Sequence, residues 1–155
     1  MRPLVAVFVL ATAIGCSAGD RNTGPPPHAI SKSQLRTLLD DVAVKVRAAY
    51  LRVDEAAERR NTGQLRRALR RAADVEELQT ERLEQVIPPR EAERPLGRLV
   101  RASQEEAKQI RALARRKDLT AKVVQREALL ENRADGEILR ALTELGEHGF
   151  GGPSG

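Results

Sequence analysis

Residues 31–60, SKSQLRTLLDDVAVKVRAAYLRVDEAAERR, carry the clearest structural pattern in the chain. The alternation of four- and three-residue spacings places one set of apolar residues on a single face of an α-helix, with charged residues around it. Ser31 or Ser33 would cap its start. The stretch therefore predicts one long amphipathic helix. Its expected buried positions are Leu35, Leu39, Val42, Val46, Ala49, Val53 and Ala56.

A second helix of the same kind is expected at about residues 63–86. Asn61-Thr62-Gly63 ends the first helix, with Asn61 or Gly63 suited to a left-handed backbone and Thr62 suited to cap the next helix. The short connection makes the two helices antiparallel. The expected buried side of the second helix carries Leu65, Leu69, Ala72, Val75, Leu78, Leu83 and Val86.

Proline punctuates the third helix, which runs to about Lys117. Pro88-Pro89 stops the second helix and can begin the third. Pro95 leaves two alternatives: a helix that begins at Pro89 and kinks at Pro95, or one that begins near Arg94 with Pro95 at its first position. The early start with a kink is favoured. The apolar side is Leu96, Leu99, Ser103, Ala107, Ile110 and Leu113.

A fourth helix is expected from about Leu119 to Leu145, capped by Asp118 or Thr120. The whole pattern predicts an all-α fold over residues 31–146, arranged as an antiparallel up-down-up-down four-helix bundle. The structural alternative is three long helices with a continuous third helix. The Gly-rich residues 147–155 are expected to form a disordered tail. The buried side of the fourth helix is Val123, Leu130, Ala134, Ile138, Ala141 or Leu142, and Leu145.

The N-terminus has the form of an export signal. A basic Arg2 precedes the apolar run Leu4 to Ile14, and small residues follow it. Eleven apolar residues are too few to span a bilayer, which needs about 20. The sequence thus predicts that the chain leaves the cytoplasm.

The end of this run, Ala13-Ile14-Gly15-Cys16, resembles the lipobox of bacterial lipoprotein signal peptides. The resemblance implies a signal peptide at residues 1–15, cleavage between Gly15 and Cys16, and a lipid on Cys16. The protein would then be anchored by its lipid to the extracytoplasmic face of the cell membrane. Ordinary secretion with cleavage after Ala11-Thr12-Ala13, and an uncleaved apolar N-terminus, are the alternatives.

Residues 16–30 follow as the lipidated cysteine and a flexible tether. Three consecutive prolines exclude a helix there, and the segment could extend to roughly 40 Å. His28 would be a solvated residue of this tether. Beyond the lipobox, the composition and the Pro-Pro-interrupted helical pattern resemble small Ala/Arg-rich helical lipoproteins of high-GC Gram-positive bacteria. That resemblance carries no site residues.

Composition excludes most chemistry. The 155 residues include two His, one Cys, one Met and no Trp, which leaves few soft ligands for a metal or haem. We therefore expect no enzyme, no metal and no cofactor. Ser103 lacks a nearby His to activate it. Glu106 and Glu127 are near the apolar sides of their helices, but a boundary carboxylate paired with an arginine is the favoured interpretation.

Charge suggests a docking surface. In an up-down-up-down bundle, the connection between the first two helices and the connection between the last two lie at the same end. Many basic residues are expected at this end, and the tether is expected to join the opposite end. We hypothesise that the basic end docks an anionic envelope protein or polymer; nucleic acid is disfavoured, because the net charge is only +5 and aromatic residues are 2%. The predicted function is a non-catalytic binding or scaffold role in the cell envelope, and the alternative is a carrier or sensor of a small apolar ligand held between helices. The candidate docking residues are Arg66, Arg67, Arg70, Arg71, Arg115 and Arg116.

Overall fold

The computed structural model describes residues 26–129 and 133–151, and most of these residues are helical. The all-α class predicted from the sequence is confirmed. The elements in chain order are β1 (His28–Ala29), α1 (Lys32–Glu58), α2 (Thr62–Glu84), β2 (Val86–Ile87), α3 (Arg90–Arg115), α4 (Ala121–Leu129) and α5 (Arg133–Glu147).

Side chains in the loops set the starts of the first helices. Ser31 caps α1, as predicted: its hydroxyl accepts from the Gln34 N–H, and its own N–H donates to Gln34 Oε1 at 2.8 Å. Asn61, rather than Thr62, caps α2 by accepting from the Gln64 N–H at 3.0 Å. The left-handed residue between the two helices is Arg60, with φ of 51°, and not Asn61 or Gly63.

α3 begins at Arg90 and contains Pro95 within it. The early start is therefore correct, and the start near Arg94 is wrong. Pro95 is the sixth residue of α3, so the N–H that it lacks is one that would otherwise bond to the first turn. Pro95 is also buried, so its ring contributes to packing.

The expected fourth helix is two helices, α4 and α5, on either side of residues 130–132, which lie outside the described residues. The two have different packing partners. Leu119, just before α4, and Val124 in α4 join an apolar cluster with the end of α1, whereas Ala141 and Leu145 of α5 pack in a cluster with α3. Leu130, expected to be buried, lies outside the described residues.

Successive long helices pack against each other. α1 lies against α2, α2 against α3, and α3 against α5. β1 pairs in parallel with β2, which places the start of α1 beside the end of α2. Arg98 of α3 forms an ion pair with Glu144 of α5.

The buried apolar residues form two clusters at opposite ends of the helices. One contains Leu35, Leu83, Leu96 and Leu145, near the start of α1. The other contains Val53, Leu65, Ile110 and Leu119, near the end of α1. Fewer apolar side chains are buried between the two clusters. Val42 and Val46 lie there and are only half-buried, although the sequence pattern assigns them to the core.

Two segments expected to be flexible are held by the helices. The N–H groups of His28 and Ile30 donate to the carbonyls of Gln85 and Ile87, so the predicted tether is attached to the fold from His28 onward. Phe150 is fully buried against α1 and α5, although a disordered tail was expected from residue 147. An aromatic ring gains more from burial than the flanking glycines cost in chain entropy. Residues 152–155 lie outside the described part of the chain.

Candidate functional site

A cavity of about 320 Å³ lies between the two core clusters. α1, α2, α3 and α5 all contribute to its lining. Its walls are apolar, and include Val42 and Val46 of α1, Leu99 of α3, and Ile138 and Leu142 of α5. The cavity thus lies along the part of the helices where apolar side chains are not fully covered by neighbouring helices.

Three polar side chains lie together at this cavity. They are Tyr50 of α1, Glu76 of α2 and Glu106 of α3. The Tyr50 hydroxyl forms a short hydrogen bond with Glu106 Oε1. Glu76 is only 5% exposed, which is unusual for a carboxyl side chain. The site is therefore an apolar cavity with a carboxyl pair and a phenol on one side.

Burial changes the acidity of Glu76. Loss of solvent raises the pKa of its carboxyl group, and the negative charge of Glu106 raises it further, to about 7. Tyr50, whose single hydroxyl proton is shared between Glu106 and Glu76, acts in the opposite direction and lowers this pKa. Glu76 therefore titrates closer to neutral pH than an exposed glutamate does.

The inward position of Glu76 follows from the spacing of residues along α2. Positions 72, 76, 79 and 83 continue the four-and-three spacing of a helix face, and all four are buried. Leu78 falls off this face and is 56% exposed, so its predicted burial is wrong. The same spacing predicts that Glu76 and Gln79 are buried, if polar residues are counted on the buried face as well as apolar ones.

The residues singled out from the sequence have separate positions. Ser103 is buried and lines the cavity, as does Glu106. Glu127 accepts from Arg116 at 2.8 Å, which is the arginine pairing favoured for it. Glu106 and Glu127 are thus not parts of one site.

The six candidate docking arginines divide into three groups. Arg66 and Arg116 are half-buried: Arg66 donates to the Arg116 carbonyl at 2.9 Å, and the Arg116 guanidinium pairs with Asp118 at 2.8 Å. Arg67 and Arg71 line a smaller cavity, of about 230 Å³, between α1 and α2. Arg70 and Arg115 are exposed. Only the last four have side chains that a partner could reach without breaking these bonds.

Other predicted features fall outside the described residues or outside this site. Gly15 and Cys16 are among residues 1–25, which the structure does not describe. No helix in the described ranges combines the length and apolar character needed to cross a membrane. Within residues 26–129 and 133–151, no three His, Cys, Asp or Glu side chains are grouped as a metal site requires.

Comparison with known proteins gives no match. No protein-family model, no curated protein and no solved structure matches this chain. The function must therefore be inferred from the cavity and its charged groups.

Proposed function

We propose that this protein binds a small, largely apolar ligand in the cavity between its helices, without transforming it. The supporting observation is the apolar cavity of about 320 Å³, which is at the lower end of the range for small-molecule sites. Such sites combine apolar walls with a few polar groups that orient the ligand. Tyr50, Glu76 and Glu106 are such groups here.

Ligand binding would complete the burial that the helices leave unfinished. Val42, Val46 and Ile138 are half-buried around the cavity, and Leu139 and Leu142 are 67% and 45% exposed at its α5 side. Covering apolar surface is favourable by about 25 cal/mol per Å². A ligand that occupied the cavity would therefore stabilise the folded state.

We further propose that the helices form an up-down-up-down bundle whose fourth position is shared by α4 and α5. The packing of α1 on α2, α2 on α3 and α3 on α5 supports this arrangement. The start of α3 and the end of α5 also meet, at the pair Arg98 and Glu144. A fourth position divided between two helices leaves room for a cavity beside α1.

We also propose that this binding protein lies on the extracytoplasmic face of the cell membrane, held by a lipid on Cys16. The supporting observation is the resemblance of Ala13-Ile14-Gly15-Cys16 to a lipobox. The attachment of β1 to β2 begins at His28, so the predicted tether is joined to the helices from that residue onward. Labelling with palmitate in cells that make this chain tests the anchor. We expect the protein to carry the label and the Cys16→Ala variant to lack it.

A second candidate function is docking of an anionic envelope partner at the basic end. Arg67 and Arg71 line the smaller cavity together with Arg52 and Arg59, and these four positive charges outnumber the acidic lining residue Glu55, which favours an anion. This end is opposite the start of α1, where the tether joins. Docking there is compatible with ligand binding in the larger cavity.

A melting experiment with 1-octanol tests the proposed function. A ligand that binds only the folded state stabilises it, and the melting temperature continues to rise with the logarithm of ligand concentration above the dissociation constant. We expect octanol to raise the melting temperature of the full chain progressively as its concentration increases. If neither octanol nor octylamine shifts it, the proposal of ligand binding is overturned.

A further inference from the structure

We propose that the ligand of the cavity is a cationic amphiphile, an ammonium group on a short apolar chain, with the ammonium held between Glu76 and Glu106. This inference rests on the proposed function, because it specifies the chemistry of the same ligand. The inference is carried by the sign of the charges, the hydrogen-bonding groups and the shape of the cavity.

The sign of the charge is the first argument. Among the described residues that line the cavity, the charged ones are Glu76 and Glu106, and none is Lys, Arg or His. The whole chain has 27 Lys and Arg against 22 Asp and Glu. The charged groups that line the cavity are thus both acidic, although the protein as a whole is basic. Such a cavity attracts a cation and repels an anion.

The energetic state of Glu76 is the second argument. Its carboxyl is buried, and the groups acting on it are the Glu106 carboxylate and the Tyr50 hydroxyl, with no cationic side chain among them. Most buried carboxylates are paired with a cation, since an unpaired buried charge is costly. A ligand ammonium between the two carboxyl groups would offset the repulsion from Glu106 and give the buried Glu76 carboxylate an opposite charge.

The hydrogen-bonding groups also match an ammonium. An alkylammonium has three N–H donors and no acceptor, as a lysine side chain does. The oxygens of Glu76 and Glu106 accept, and the nearby Ser103 hydroxyl can accept as well, whereas the Gln79 side-chain carbonyl already accepts from Arg82 at 2.5 Å. The apolar walls formed by Val42, Val46 and the α5 residues would then enclose the chain of the ligand.

A hydrated divalent cation fits the cavity less well. Ca²⁺ and Mg²⁺ take six or more oxygen ligands, and Mg²⁺ usually retains water. In the part of the chain that the structure describes, no third acidic side chain joins the pair as a metal ligand. The predominantly apolar walls offer nothing to a metal ion, whereas they suit an alkyl chain.

The test uses three probes with the same eight-carbon chain and different head groups: octylamine, 1-octanol and octanoate. Each is titrated into the full chain at pH 7.5 by isothermal titration calorimetry. At this pH the amine is a cation and the acid an anion. We expect octylamine to bind at least about tenfold more tightly than octanol, and octanoate to bind most weakly.

The matched variants are Glu76→Gln and Glu81→Gln, both on α2, the second on its exposed side. Glu76→Gln should lose about tenfold in octylamine affinity and should retain octanol binding, which also shows that the variant is folded. Glu81→Gln should bind all three probes as the parent does.

The outcomes separate the two proposals. Equal affinity for the three probes, or tightest binding of octanoate, would overturn the cationic ligand and leave apolar binding standing. No binding of any probe would overturn both. Tight binding of Ca²⁺ or Mg²⁺ alone, abolished by Glu76→Gln, would also overturn the cationic amphiphile and identify a metal site instead.

Discussion

Tyr50 and Glu106, 56 positions apart in the chain, are joined by a hydrogen bond that links α1 to α3 beside the buried Glu76. Both side chains also line the cavity. Tyr50 is the only tyrosine, and the chain has no tryptophan. Its absorbance therefore reports directly on the site.

The pH dependence of folding should carry the signature of Glu76. Because the folded-state pKa of about 7 is above the ordinary 4.5, the folded state binds the proton more tightly than the unfolded state. The resulting stability is fully present below pH 4.5 and is lost as the pH rises to about 7. It amounts to on the order of 3 kcal/mol, at about 1.4 kcal/mol per pKa unit.

Urea unfolding of the parent and of Glu76→Gln between pH 4 and pH 8 measures this effect. The difference in unfolding free energy between the two proteins should change steadily across this range and level off above pH 7. Glu81→Gln is the control, and its difference from the parent should not follow the same curve. A parallel pH dependence of parent and Glu76→Gln would contradict the prediction.

Tyr50→Phe should raise the pKa of Glu76 above about 7. The hydrogen bond from Tyr50 lowers this pKa in the parent, and phenylalanine removes the donor while keeping the ring. The pH range over which stability is lost should then move upward. Carboxyl titration by NMR in the two proteins checks this, and an unchanged or lowered pKa would show that the phenol does not act on Glu76.

Filling the cavity should abolish ligand binding without unfolding the protein. Val46 lines the cavity, whereas Val44 on the same helix is 68% exposed. Val46→Phe should therefore lose at least tenfold in octanol affinity, and Val44→Phe should bind as the parent does. Equal binding by the two variants would place the ligand elsewhere.

Phe150→Ala should destabilise the fold by about 3 kcal/mol, although it lies near the chain end. Its ring is fully buried with Leu35 and Leu145, and such truncations leave a cavity that the surroundings refill only in part. Chemical denaturation gives the value. Phe150→Leu should reduce the free energy of unfolding far less. If Phe150→Ala reduced it by less than about 0.5 kcal/mol, the size of an ordinary surface change, the packing of Phe150 would not contribute to folding and the prediction would be contradicted.

Removal of Arg67, Arg70 and Arg71 should weaken binding to anionic polymers. These three side chains are exposed, whereas Arg66 is kept because it supports the Arg116 carbonyl. The triple change to Gln should reduce polyphosphate affinity more strongly at low salt than at high salt. The control variant changes Arg47, Arg90 and Arg94, which are exposed on other parts of the surface, and removes the same charge. An equal loss of polyphosphate affinity in the control would show that net charge alone is responsible.

The spacing of apolar residues was sufficient to predict the first three helices. Residues 31–60 contain a capping box and a repeated four-and-three spacing, both of which are local, and α1 follows them closely. Pro88-Pro89 located the start of α3 for the same reason, since proline acts on its own turn. Helical periodicity is a property of neighbouring residues and needs no knowledge of the partner.

The candidate site depended on packing between distant segments. Whether Val42 and Val46 are covered, and whether Glu76 is withdrawn from water, depends on where α5 lies relative to α1, although Val46 and Ile138 are more than 90 positions apart in the chain. The same holds for Phe150, which local composition assigns to a flexible tail. The sequence pattern thus determined the helical class and most helix boundaries, while tertiary packing alone decided the cavity and its carboxyl pair, because the burial of a side chain depends on its neighbours in space.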